Sequence, residues 1–107
     1  MTHANKRFSV YVIELHPNVL EHKRFMKKNP QHILGKPCIY VGMTGLSIEQ
    51  RYANHERGHQ SNIAPYVVRL IPELYQSLNP MAYEIACGIE VQLANKLRAE
   101  GYGVWQG

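Results

Sequence analysis

Tyr40, Arg51 and His55 fall within one stretch, Ile39 to His59, reading IYVGMTGLSIEQRYANHERGH. A phenol, a guanidinium and an imidazole complement one another. The first gives or takes a hydrogen bond, the second steadies anionic oxygen, and the third titrates near neutrality. Arg51 and His55 are four residues apart, so on a helix they share one face.

The elements that must position these groups can be read locally. Ile39, Tyr40 and Val41 form a short apolar strand that passes through a glycine-bracketed turn, Gly42 to Gly45. Ser47 followed by Gln50 fits a capping box, which predicts a helix starting at Ile48 and ending at Gly58. Ile48, Tyr52 and His55 give that helix a packed face, with Arg51 beside it.

Phe8 to Leu15 (FSVYVIEL) is rich in β-branched and aromatic residues and reads as a strand. If Tyr11 faces Tyr40 across a neighbouring strand, the two phenols line one pocket; otherwise Tyr11 is a core aromatic. Tyr66 to Ile71 reads as a third strand ended by Pro72, its Arg69 facing solvent or gripping a nucleic-acid backbone. The final helix is expected to start with Asn79 as N-cap and Pro80 in the first position, and to end at Gly101. Ala82, Ala86, Ile89, Leu93 and Leu97 form its buried stripe. Glu90 stands on the shoulder of that stripe, where a carboxylate is costly unless paired. It therefore answers Arg51 or another cation, or binds a metal. Gly88 in mid-helix suggests close backbone packing, and Glu84 reads as an exposed first-turn acid.

Tyr40-Val41-Gly42, Thr44, Arg51 and His55, in the arrangement YVG-x-T-x6-R-x3-H, resemble the second half of the GIY-YIG nuclease signature. Ser9-Val10-Tyr11 would be its first half, and Glu90 in EVQLANKLRAEGY resembles the metal-binding glutamate of that family. The likeness runs from about Phe8 to the C-terminus. It implies an α/β (α+β) domain with a small, mainly antiparallel three-stranded sheet flanked by helices. It also implies phosphodiester hydrolysis with one divalent cation, in which Glu90 holds Mg²⁺ or Mn²⁺ and Arg51 stabilises charge on the phosphate. Tyr11 and Tyr40 would position or activate the water, and His55 would relay or accept a proton. A free phenol has a pKa of about 10, so a tyrosine base needs help from Arg51, the metal or His55. Ser9 departs from the usual glycine, and Met43 stands where several members place a lysine.

Tyr11 and Tyr40 are separated by 28 residues (12 to 39), longer than the family's usual connection, which marks residues 16–37 as an insertion. Pro17 and Asn18 could start a short helix that Asn29-Pro30 stops. Lys23, Arg24, Lys27, Lys28 and Lys36 face a single acid, Glu21, making this the most basic stretch. It reads either as a solvated face or as a grip on phosphates. His59, in the polar loop after the central helix, could also reach a phosphate. His16, His22 and His32 read as surface histidines.

The 107 residues leave room for a single domain. A formal charge of +4 makes a polyanionic partner plausible. Cys38 and Cys87, 49 positions apart and without CxxC partners, read as small hydrophobes. No apolar run approaches the ~20 residues needed to span a bilayer, and no signal-peptide pattern precedes the first strand, so a cytoplasmic location is expected. Two readings follow: a metal-dependent endonuclease on structured, damaged or single-stranded DNA, or a non-catalytic nucleic-acid-binding module of the same fold. A protein partner could direct either one.

Overall fold

Val10, Tyr11, Val12 and Ile13 are almost completely buried, as in a strand covered on both faces. They lie at the centre of β1 (Ser9–Leu15), the strand on which the sheet is built. The computed structural model describes residues 7–107; the N-terminal end of the chain, expected to fray, lies largely outside them. After β1 come α1 (Lys23–Lys28), β2 (Cys38–Thr44), α2 (Ile48–Arg57), β3 (Val67–Leu70), α3 (Tyr83–Ala99) and β4 (Gly103–Gln106), with short 3₁₀ turns in the connections.

β1 pairs antiparallel with both β2 and β3, as expected for three segments. A fourth strand corrects the count. β4 joins the far side of β2 in parallel, giving a mixed sheet of order β3-β1-β2-β4 in an α+β fold. α3 is the crossover that makes the parallel pairing possible.

Partners across a ladder share a face. Tyr11, Ile13, Tyr40 and Trp105 therefore lie on one side, and Val12, Ile39, Val41, Val104 and Gln106 on the other. α3 covers the second side with Ala86, Leu93, Ala94 and Leu97. On the first side His55 of α2 meets Tyr11 and Tyr40, while Phe25 of α1 meets Trp105.

Two asparagine side chains stand in for missing strand neighbours. β3 reaches only the C-terminal half of β1. Beyond it, Asn79 Oδ1 accepts from Val10 N–H at 2.9 Å and Asn79 Nδ2 donates to Val10 O at 2.7 Å. This overturns the expected cap: α3 starts at Tyr83 after Ala82, with no side-chain cap, because the Asn79 amide is engaged with β1. On the outer edge of β4, fully buried Asn29 accepts from Val104 N–H at 2.8 Å and donates to Val104 O at 3.0 Å. Asn29 also caps α1, which follows a 3₁₀ turn over Pro17–Glu21, so the expected single helix is split in two.

At α2 the local reading holds. Ser47 Oγ accepts from Gln50 N–H at 3.1 Å, and Gly58 ends the helix at φ 79°, a left-handed conformation suited to glycine. Gly88 differs from expectation. It is exposed, and an added Cβ would meet nothing within 4 Å. Among the described residues no helix is long and apolar enough to cross a membrane.

Asn29→Ala should destabilise the chain by ~2–4 kcal/mol, because it leaves buried backbone groups of Val104 unpaired. Gly88→Ala should stabilise it by ~0.5–1 kcal/mol by improving helix propensity in open space. Urea denaturation of the two variants beside the parent measures both, and a neutral Asn29→Ala would refute the edge-pairing role.

Candidate active site

The site is assembled around Gly42. An added Cβ there would come within 2.7 Å of both the Tyr11 hydroxyl oxygen and the Tyr40 ring, so only a glycine lets the two phenols close over the strand. The ladder explains the convergence, since Tyr11 lies opposite Gly42 and Ile13 opposite Tyr40. The two rings are 6.0 Å apart between centroids. The two phenols thus converge on one face of the sheet, both of them buried.

α2 brings His55 onto both rings, 5.8 Å from Tyr11 and 4.9 Å from Tyr40 between centroids. His55 Nε2 lies 2.8 Å from the Tyr11 hydroxyl and Nδ1 lies 2.6 Å from Ser61 Oγ. Ser61 also accepts from Ile63 N–H. With the imidazole proton on Nδ1, Ser61 accepts it and Nε2 is left to accept from Tyr11. The result is a chain from buried Tyr11 and His55 to half-buried Ser61, whose last member sequence reasoning missed. A serine in a polar loop carries no signal of its own until the loop is seen to fold back over α2.

Arg51 donates to the carbonyls of His59 and Gln60, at 3.3 and 3.1 Å. The loop after α2 thus holds the guanidinium beside the phenols, and the part His59 plays in this is its backbone. Of the alternatives open for Glu90, the pair with Arg51 does not form. Glu90 is buried on α3, and its carboxylate accepts from Gln106 Nε2 at 3.3 Å. Gln106 lies on the sheet face opposite Tyr40, so Glu90 sits across the sheet from the phenol rings, and its charge still acts on Tyr40. Gly107 closes that end: its N–H donates to Val41 O, and an added Cβ on it would collide with the Tyr40 hydroxyl.

The electrostatics oppose a phenolate at rest. Burial pushes the Tyr11 phenol well above its ordinary value, with the neighbouring Tyr40 adding to this; the positive Arg51 only partly offsets it. Tyr40 is raised as well, chiefly by burial, and the charge of Glu90 contributes. Burial and then Arg51 lower His55 to about 4, so it is a neutral acceptor at pH 7. Burial raises Glu90, opposed by the Gln106 hydrogen bond.

Glu90 is the residue that could hold a metal. It has no basic side chain within ion-pair distance among the described residues. A single carboxylate suits Mg²⁺, which keeps several waters and shares its remaining positions with substrate oxygens. No group of three or more His, Cys, Asp or Glu converges among the described residues, so an all-protein cage is not what this donor set offers.

The basic residues separate. Arg24 and Lys28 line a cleft that also includes Gln106 and Gly107, whereas Lys23 and Lys27 do not. Lys36 lies 5.1 Å over the Tyr102 ring. Arg69, on the opposite edge strand, is paired with Glu14 at 2.9 Å and is not brought to the site. Cys38 is buried as expected and Cys87 half-buried, both as free thiols.

The folded value of His55, about 4, lies below the ordinary 6.5. Its neutral ring therefore stabilises the fold above pH 6.5, and that contribution is lost as pH falls toward 4. After discounting for solvent screening, the effect is on the order of 1–2 kcal/mol. Denaturation midpoints followed from pH 7 to pH 4 should fall less steeply in His55→Gln, and parallel curves would contradict the burial of a neutral ring. No protein-family model, curated protein or solved structure matches this chain.

Proposed function

We propose that this chain is a divalent-metal-dependent endonuclease of the GIY-YIG type, hydrolysing phosphodiester bonds in nucleic acid, DNA foremost. The observation that carries the reading is the Tyr11–His55–Ser61 chain, with a second phenol and a fixed guanidinium beside it. Burying two phenols and a neutral imidazole against one another costs solvation that an apolar cluster would not. Proton transfer from an attacking water is a use that matches their order.

In this reading a water attacks phosphorus while the Tyr11 oxygen takes its proton and passes the phenolic hydrogen to His55 Nε2. The bond from phosphorus to the leaving oxygen then breaks, that oxygen keeps the electron pair and takes a proton from solvent, and His55 returns its own proton to solvent. Because the phenol is raised and the imidazole lowered, free phenolate and imidazolium are both disfavoured at rest. The two transfers are therefore coupled to attack. Ser61 keeps the imidazole in the accepting tautomer. Tyr40 positions the water, and Arg51 stabilises charge on the phosphoryl oxygens. Glu90 would hold Mg²⁺ or Mn²⁺, which supplies Lewis-acid polarisation of the phosphoryl group. The same reading takes the protein to be cytoplasmic.

The position of Glu90 favours a second reading. It is bonded to Gln106 and set on the other side of the sheet from the phenols' face, which suits a nucleic-acid-binding module that does not cut.

End-labelled single-stranded, duplex, flapped and branched DNA, with RNA counterparts, should separate the two. Cleavage is expected with Mg²⁺ or Mn²⁺, and Glu90→Gln should lower it at least ~10³-fold while binding persists. The acid limb of kcat/KM should lie near pH 4, where His55 protonates, and not near 6.5. Binding without cutting by the parent protein would favour the module.

A further inference from the structure

A cleft of about 630 Å³ runs beside the outer edge of β4. Among the described residues three cationic side chains line it, Arg24 and Lys28 from α1 and Arg98 from α3, and no Asp or Glu side chain does. Arg98 is only partly exposed, and burial lowers its pKa. Its terminal nitrogens reach only neutral oxygens at the long end of hydrogen bonding, Asn95 Oδ1 at 3.5 Å and Val104 O at 3.4 Å. Its Nε is buried without a partner among the described residues, and so is Nδ1 of His22, another residue of the cleft wall. His22 is thus a half-buried neighbour of Trp105, at 5.2 Å between centroids, and not the surface histidine that the sequence suggests. A partly buried guanidinium with an unpartnered Nε, in a cleft that holds two further cationic side chains and no carboxylate among the described residues, favours an anion.

The cleft also touches the candidate active site. Gln106 and Gly107 line it, the first bonded to Glu90 and the second seated against the Tyr40 hydroxyl. Half-buried Trp105 supplies an aromatic surface next to the cations, the pairing with which single strands are held by stacking and charge.

We infer that this cleft is a subsite for a single nucleic-acid strand, with Arg24, Lys28 and Arg98 on its phosphates and Trp105 against a base. It holds the strand beside Tyr40 and Glu90. The inference rests on reading the site as one that acts on nucleic acid. It assigns the two basic pairs of α1 different roles. Arg24 and Lys28 grip, whereas Lys23 and Lys27, on the helix's other face, are solvated.

Trp105 is the only tryptophan in the chain, so its fluorescence reports the cleft. The full chain is titrated with inorganic phosphate, with dAMP and with an eight-residue oligothymidylate, in the presence of a chelator so that nothing is cut. The octamer is expected to perturb Trp105 emission and to bind more tightly than dAMP or phosphate. Arg24→Gln/Lys28→Gln should raise its Kd about tenfold and reduce the slope of log K against log salt by about 1.4, at ~0.7 per contact on a single strand. Lys23→Gln/Lys27→Gln removes the same charge and should leave Kd within about twofold. All four positions are exposed, so these variants keep the fold.

Unchanged emission overturns the inference, as does an equal loss of affinity in the two double variants. Binding of dAMP as tight as that of the octamer would make the cleft a free-nucleotide pocket and overturn the strand assignment. The outcomes separate from those of the cleavage assay. A responsive Trp105 in a protein that never cuts keeps the cleft and ends the nuclease reading. Glu90-dependent cutting with unchanged Kd and KM in Arg24→Gln/Lys28→Gln keeps the nuclease and ends the cleft.

Discussion

The site depends on the absence of one methyl group. Tyr11 and Tyr40 come from neighbouring strands, and their rings can converge on one face only because Gly42 leaves the volume of a Cβ empty beneath them. Every other group is set relative to that contact. α2 lays His55 on both rings, and the loop after α2 returns Ser61 to His55 and two carbonyls to Arg51. Packing and chemistry are here the same constraint, because the groups that would move a proton are also core side chains. The cost is visible in the titrations: burial drives the phenols up and the imidazole down, toward their neutral forms. The resting site is uncharged along its hydrogen-bonded chain, and Arg51 brings a positive charge to its border.

Local structure was legible where short-range chemistry decides it. Ser47 and Gln50 mark the start of α2, Gly58 its end, and the β-branched run before Leu15 marks β1. Whether Tyr11 meets Tyr40 or is only a core aromatic is open in the sequence, and the pairing of β1 with β2 decides it. What the sequence hid was long-range. Asn79 before Pro80 carries the signal of a helix cap, yet its amide is used by the backbone of Val10, 69 positions away. Four residues after a helix carry too little pattern to announce β4 as a strand, and nothing local says that it pairs in parallel with β2.

Glu90 shows the same limit within the site. Helical spacing placed it correctly beside a buried stripe, and its burial followed. Its partner depended on which sheet face α3 covers and on where β4 ends, and both are set by tertiary packing. Arg51, one of the partners the sequence left open for it, is held instead by carbonyls only eight and nine residues along the chain, where closing a short loop costs little. An amide from β4 filled the place.

The side chain of Asn29 on β4 has a consequence beyond stability. An edge strand normally displays a free row of donors and acceptors on which a second chain can build by strand addition, a route to aggregation. At Val104 both backbone groups on that row are already occupied by one amide. The opposite edge, β3, has only four residues, carries the charged Arg69 and is followed by Pro72. Neither side of the sheet is a good template for another strand. This domain can keep a cleft open along one border of its sheet without inviting a neighbouring copy to extend it.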